Sequence, residues 1–168
     1  TNTGAELGHI TIVTDGRNCR CPNTGCLEAY VGGWAIAERT QEAIRNFSNE
    51  GQDLLSIAGS IKDVSAITLS KAYNKDDRLA QKLVYETGRY LAAGIVSIVN
   101  AFNPCCIVLG GGVIEGIPDL IQIVQNIVPQ MALRSSVEQL KIVKSALGND
   151  AGTIGAALMA QNFVKKTF

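Results

Sequence analysis

One histidine and three cysteines near the start of the chain constrain it most. His9 is the single histidine, and Cys19, Cys21 and Cys26 follow in a polar, glycine-containing stretch. The segment reads H-x9-C-x-C-x4-C. Imidazole and thiolate are borderline and soft donors, and four of them suit a tetrahedral zinc ion. A bound ion lowers the thiol pKa, so the site holds at neutral pH. Gly16, Gly25 and the nearby asparagines let the backbone wrap tightly. The Cys-x-Cys pair is closer than the pair of a nucleic-acid-binding zinc finger. The alternative is a surface histidine with cysteines that merely pack, yet three cysteines in a polar loop are poorly placed for a core. Four protein donors leave no open coordination position, so the expected role is structural rather than Lewis-acidic.

The rest of the composition narrows the field. A length of 168 residues fits one domain. With 46% hydrophobic and 18% charged residues the chain can bury a core, which argues against disorder. Fifteen basic and fifteen acidic residues cancel. That argues against a generic nucleic-acid or membrane-surface binder in this segment, because both need a basic excess. No apolar run reaches the roughly 18 residues of a membrane helix. The opening residues lack the basic and apolar regions of a secretory leader. The missing initiator methionine suggests a piece of a longer protein. Five cysteines, odd in number and clustered, suit a reducing cytoplasm better than a disulfide framework.

Residues 1–27 read as a strand, Ile10 to Val13, followed by a long loop. From Glu28 the pattern turns helical. Residues 48–63 read as a loop with a short helical piece, and 66–74 as a short helix. The strongest helix signal covers 78–102, where Leu79, Leu83, Leu91, Ile95, Ile98, Val99 and Phe102 recur mostly at steps of three or four. Gly88, Ala92, Ala93 and Gly94 leave room for a close neighbour. Asn103-Pro104 ends that helix. Cys106 to Leu109 is wholly apolar and ends in Gly110-Gly111-Gly112, which predicts a buried parallel strand and a glycine turn. Pro118 opens a helix whose apolar face is Leu120, Ile121, Val124, Ile127, Val128 and Met131. Residues 140–143 are a second strand candidate. Asn149 or Asp150 caps a last helix to about Val164. The order predicts an α/β fold with a partly parallel sheet. Cys105 and Cys106 read as reduced core or strand-entry residues, and Tyr30 and Trp34 as core.

Three segments carry a family resemblance. They are Gly4-Ala5-Glu6-Leu7-Gly8-His9, Gly16-Arg17-Asn18-Cys19-Arg20-Cys21, and Gly25-Cys26-Leu27-Glu28-Ala29-Tyr30. Together they resemble the signature of the ROK family of repressors, open reading frames and sugar kinases. Asn103-Pro104 with Ile107 to Val113, and Asn149 to Ala157, resemble its later landmarks. The sequence departs at Pro22, where the family usually has Gly, and at Gly32-Gly33, where Ser-Gly is common.

The resemblance implies an actin/hexokinase-like (ribonuclease H-like) fold, of which residues 1–168 look like most of the C-terminal lobe. The N-terminal lobe, its phosphate loops and the catalytic Asp are expected outside this chain. The implied activity is ATP-dependent phosphorylation of a glucose-like hexose, with magnesium on the phosphates. A sugar-responsive repressor of the same family and a non-catalytic zinc-stabilised domain are the alternatives. Glu6, His9 and Glu28 map onto sugar contacts. His9, Cys19, Cys21 and Cys26 map onto the zinc ligands, and Gly110, Gly111 and Gly112 onto the adenosine side of the nucleotide site. Metal on one ring nitrogen of His9 fixes the other as a donor, and a carboxylate accepts two hydroxyls. A homodimer is expected, since family members commonly self-associate.

Overall fold

The computed structural model describes residues 4–46 and 50–167. The start of the 48–63 segment falls outside them. A single 3-10 turn, Leu7–His9, precedes a compact knuckle. Then come α1 (Glu28–Val31), α2 (Gly33–Asn46), α3 (Gln52–Ala58) and α4 (Ala66–Tyr73). The 25-residue α5 (Arg78–Phe102) leads into β1 (Cys106–Leu109) and the short α6 (Gly112–Gly116). α7 (Asp119–Met131), α8 (Arg134–Val137), β2 (Lys141–Lys144) and α9 (Ala151–Thr167) complete the order.

The helix starts obey local chemistry. The Ser65 hydroxyl accepts from the Thr68 backbone and Thr68 returns the bond, a capping box that starts α4. Asp77 accepts from the Ala80 amide and starts α5. Asn103 ends α5 in a left-handed conformation, φ 45°, and Pro104 forbids another turn. The last helix follows directly on a 3-10 turn, Gly148–Asp150, which sets Asp150 immediately before it. The side chain of Asn149, the other expected cap, lies outside the described residues.

One apolar cluster joins α2, α3, α4, α5 and α7 through Ile36, Leu54, Leu69, Leu79 and Leu120, all essentially inaccessible. A second joins α5, α7 and the sheet through Ile95, Val99, Val124, Val128 and Ile142. The stripes read from the sequence on α5 and α7 therefore bury against each other, except at their ends, where Phe102 and Met131 are exposed. The small residues of α5 admit neighbours as expected: a Cβ on Gly88 would meet Ile123, and one on Gly94 would meet Leu27.

β1 and β2 pair in parallel, Ile107 opposite Ile142 and Leu109 opposite Lys144. They are the two strands among the described residues. The predicted strand at 10–13 is not one. Thr11 makes a single antiparallel bridge to Cys26, because the chain turns away through Asp15, φ 52°. Nor is β1 buried on both faces: Ile107 and Leu109 turn toward the helices, while Cys106 and Val108 are exposed. Cys105 is exposed too, so neither adjacent cysteine is a core residue here. No helix among the described residues is long and apolar enough to cross a membrane.

Candidate metal and substrate site

The knuckle is folded by backbone bonds around its polar loop. Ile12 N–H donates to Gly25 O at 2.8 Å and Leu27 N–H to Ile10 O at 2.9 Å. Inside this pair, Asn18 bridges Thr24, and Cys19 N–H donates to Asn23 O. The inner hairpin brings Cys19 and Cys21 over Cys26. Asn23 ties it down by donating to Thr11 Oγ1 at 2.8 Å. Outside the knuckle, Arg17 grips Glu42 of α2 with two bonds of 2.6 and 2.8 Å. Its backbone N–H donates to the Tyr30 hydroxyl.

The four predicted metal donors converge. Cys21 Sγ lies 3.6 Å from Cys26 Sγ, and Cys19 Sγ lies 3.6 Å from His9 Nδ1. All four donor atoms fall within 4.8 Å of one another. A tetrahedral zinc ion with bonds of about 2.3 Å sets its sulfur ligands about 3.8 Å apart. The donor types and spacings therefore fit zinc. They do not fit a disulfide, whose sulfurs sit about 2.05 Å apart, and all five cysteines are free. Burial pushes the Cys26 thiol up to about 11, with Cys21 and Cys19 adding to the effect. The backbone N–H of Asn23 is the main cause pulling the Cys21 thiol down.

The two candidate sugar carboxylates flank this cluster. Glu28 opens α1, two residues after Cys26. Its Oε2 lies 3.6 Å from His9 Nδ1, and its Oε1 accepts from Trp34 Nε1 at 3.0 Å. Gly8 lies against Glu28, whose Cβ is 3.6 Å from where a Gly8 Cβ would stand. Glu6 is exposed and one turn away, its carbonyl accepting from the His9 amide at 3.0 Å. With Nδ1 of His9 turned to the thiols, Nε2 sits on the opposite edge of the ring.

Gly110, Gly111 and Gly112 stand at the end of β1, away from the knuckle. Gly111 has φ 92°, a conformation that a side chain would strain. A hollow of about 250 Å³ on one side is lined by Val31, Leu109 and all three glycines. A groove of about 580 Å³ on the other is lined by Gly33, Ile67, Ser70, Gly112 and Glu115. α1 connects the two sites: Glu28 is its first residue and Val31 its last, about 5 Å of helix axis apart.

Other contacts at the site were missed by reading the sequence. Arg39 is buried and bonds Tyr30 O, Thr87 Oγ1 and Glu86, each at 3.0 Å, which locks α1 and α2 to α5. Burial lowers its pKa, and Glu86 and Tyr90 oppose that shift. A lone arginine in an amphipathic helix gives no sign of this from spacing. Trp34 is half-buried rather than core, and its pairing with Glu28 was likewise unforeseen.

The comparisons with known proteins give the family and the fold. The sequence matches the ROK family over residues 2–163. It is 30% identical over 154 residues to a glucokinase of Thermotoga maritima, covering 92% of this chain and 48% of that protein. It is 32% identical over 151 residues to the DNA-binding transcriptional dual regulator NagC of Escherichia coli, covering 90% of this chain and 35% of NagC. A solved ROK glucokinase from Streptomyces griseus, in complex with glucose and AMPPNP, superposes with a TM-score of 0.85 at 26% identity. That match covers 95% of this chain and 52% of the other. The chain thus spans about half the length of those glucokinases and about a third of NagC. Its architecture is the α/β, actin/hexokinase-like fold of the ROK sugar kinases, and the chain belongs to the ROK family.

Proposed function

We propose that the intact protein phosphorylates a hydroxyl of a glucose-like hexose with ATP, and that this chain supplies the sugar-contact, zinc and adenosine-side residues. Glu6 and Glu28 accept sugar hydroxyl hydrogen bonds, and His9 donates from Nε2. Zinc held by His9, Cys19, Cys21 and Cys26 fixes the imidazole tautomer and the loop that presents these groups. Its role is structural. The nucleotide approaches the glycine turn with magnesium on its phosphates, and the catalytic Asp lies outside residues 1–168.

The observation that carries the kinase reading is the glycine turn with open space on both sides. Glucokinase relatives and the AMPPNP-bound neighbour support the same reading. This reading places the protein in the cytoplasm, which free thiols in a metal-type cluster support. A homodimer belongs to this reading, and the exposed Phe102, Met131 and Leu133 offer apolar surface for it.

The test is an ADP-release assay on the complete polypeptide with glucose, mannose, fructose and N-acetylated aminosugars. Sugar-dependent ADP release supports the proposal, and its absence with every sugar sinks it. The similarity to NagC favours a second reading, a sugar-sensing repressor. A basic helix-turn-helix upstream together with sugar binding but no ADP release would decide for it.

A further inference from the structure

Trp34 touches both Arg20 of the metal knuckle and Glu28. Its indole Nε1–H donates to Glu28 Oε1 at 3.0 Å. On its ring, 4.5 Å from the centroid, lies the guanidinium carbon of Arg20. Arg20 is the residue between Cys19 and Cys21, so its backbone cannot move without moving two of the four metal donors. The arrangement depends on Gly32. There α1 gives way to extended backbone, φ −64° and ψ 147°, before α2 begins. A Cβ on Gly32 would lie 3.2 Å from Trp34 Nε1 and 2.7 Å from the Glu28 carbonyl oxygen. A side chain at this position would crowd the indole, and the glycine leaves room for it.

We propose that Trp34 is a positioning residue that couples metal occupancy of the knuckle to the orientation of the Glu28 carboxylate. An ion on His9, Cys19, Cys21 and Cys26 fixes the Cys19–Cys21 backbone. That holds the Arg20 cation on the indole face. The held indole keeps its N–H on Oε1 of Glu28, which leaves Oε2 on the His9 side. Loss of the ion frees Arg20, lets water reach the indole, and deprives Glu28 of its fixed donor. Outer partners of this kind tune a metal site without touching the ion. The inference rests on the zinc reading above and does not need the identity of the sugar.

Trp34 is the sole tryptophan of these 168 residues, so its emission reports the coupling directly. In the intact protein, subtraction of a Trp34→Phe spectrum removes any other tryptophan. Metal content is measured on the same samples. Stripping the ion with a chelator should move Trp34 emission to longer wavelength, and returning zinc should restore it. Arg20→Ala should still hold about one ion per chain, start at the longer wavelength, and not respond to stripping. Arg20→Lys, which keeps a cation, should recover part of the response. Protein that holds the ion but shows unchanged emission on stripping overturns this inference and leaves the zinc reading intact. An Arg20→Ala variant that responds like wild type overturns it as well. Protein that never holds an ion overturns the zinc reading and this inference with it. If Trp34→Phe fails to fold, the comparison of wild type with Arg20→Ala stands without the subtraction.

Discussion

Leu120 and Val108 are both branched apolar residues, close together in sequence. Leu120, on α7, is inaccessible to solvent, while Val108, on β1, is 61% exposed. The difference extends to the regions around them. From the knuckle through α7, each helix lays its apolar face on another, and the buried Arg39 clamps the join. In the β1–β2–α9 region only one side of the sheet is covered. Val108 and Val143 of the strands and Leu158 and Met159 of α9 face outward. Val108 and Val143 are register partners, and exposed apolar surface on paired strands marks a place where something packs. The helical region closes on itself, whereas the sheet region is built for a further layer, in keeping with relatives about twice as long.

The largest effect should come from the point where the first region is stapled. Cys26→Ser should lower zinc from about one ion per chain to almost none, because its donor is the buried member of the cluster. Retention of a full equivalent would mean that the knuckle closes by packing alone. Arg39→Met should cost about 2 kcal/mol in chemical denaturation, since it removes the buried donor of the Tyr30 carbonyl and the charged bonds to Thr87 and Glu86. Val108→Lys addresses the other region. In the intact protein it should cost about 2 kcal/mol, the penalty of burying a charge where an apolar layer is expected. A cost near zero would show that the face meets water, and the contrast between the regions would collapse. On the kinase reading proposed above, Gly111→Val should raise the nucleotide KM about tenfold, because the free turn relaxes away from φ 92° and must recover about 1–2 kcal/mol of strain to receive the nucleotide.

These regions were unequally legible in the sequence. α5 and α7 could be read because their apolar positions keep helical spacing over several turns, and burial then confirmed it at Leu79, Leu83, Val124 and Val128. The knuckle donors could be read because His and Cys at that spacing have few other uses, and they do converge. Short β-branched runs were less reliable: Ile10-Thr11-Ile12-Val13 carries strand residues but pairs only once, since a nearby turn ends the ladder. β1 is apolar on both faces, yet its cover on one side is not among the described residues, so composition alone could not say that Val108 is open. Arg39, Trp34 and Arg20 were illegible for a different reason. Their partners are set by tertiary contacts between residues up to 48 apart in sequence, which no local pattern encodes.

The smallest effect tests whether the self-closed region owes much to its surface charges. Arg17 ties the knuckle to α2 through Glu42, with Glu38 at 3.7 Å as a second acid. The hydrogen bond from Arg17 is the main cause that holds the Glu42 carboxyl below the usual carboxylate range. A group with a lowered folded pKa stabilises fully above its unfolded pKa, about 4.3 for Glu. That contribution fades as pH falls through the folded value. Glu42 is 48% exposed, however, so solvent screens most of the attraction. Glu42→Gln should therefore cost less than about 1 kcal/mol at pH 7, and the gap from wild type should close below about pH 4. Denaturation midpoints of both proteins across that range would show it. A larger, pH-independent loss would mean that the Arg17 strap acts through packing rather than through its charge.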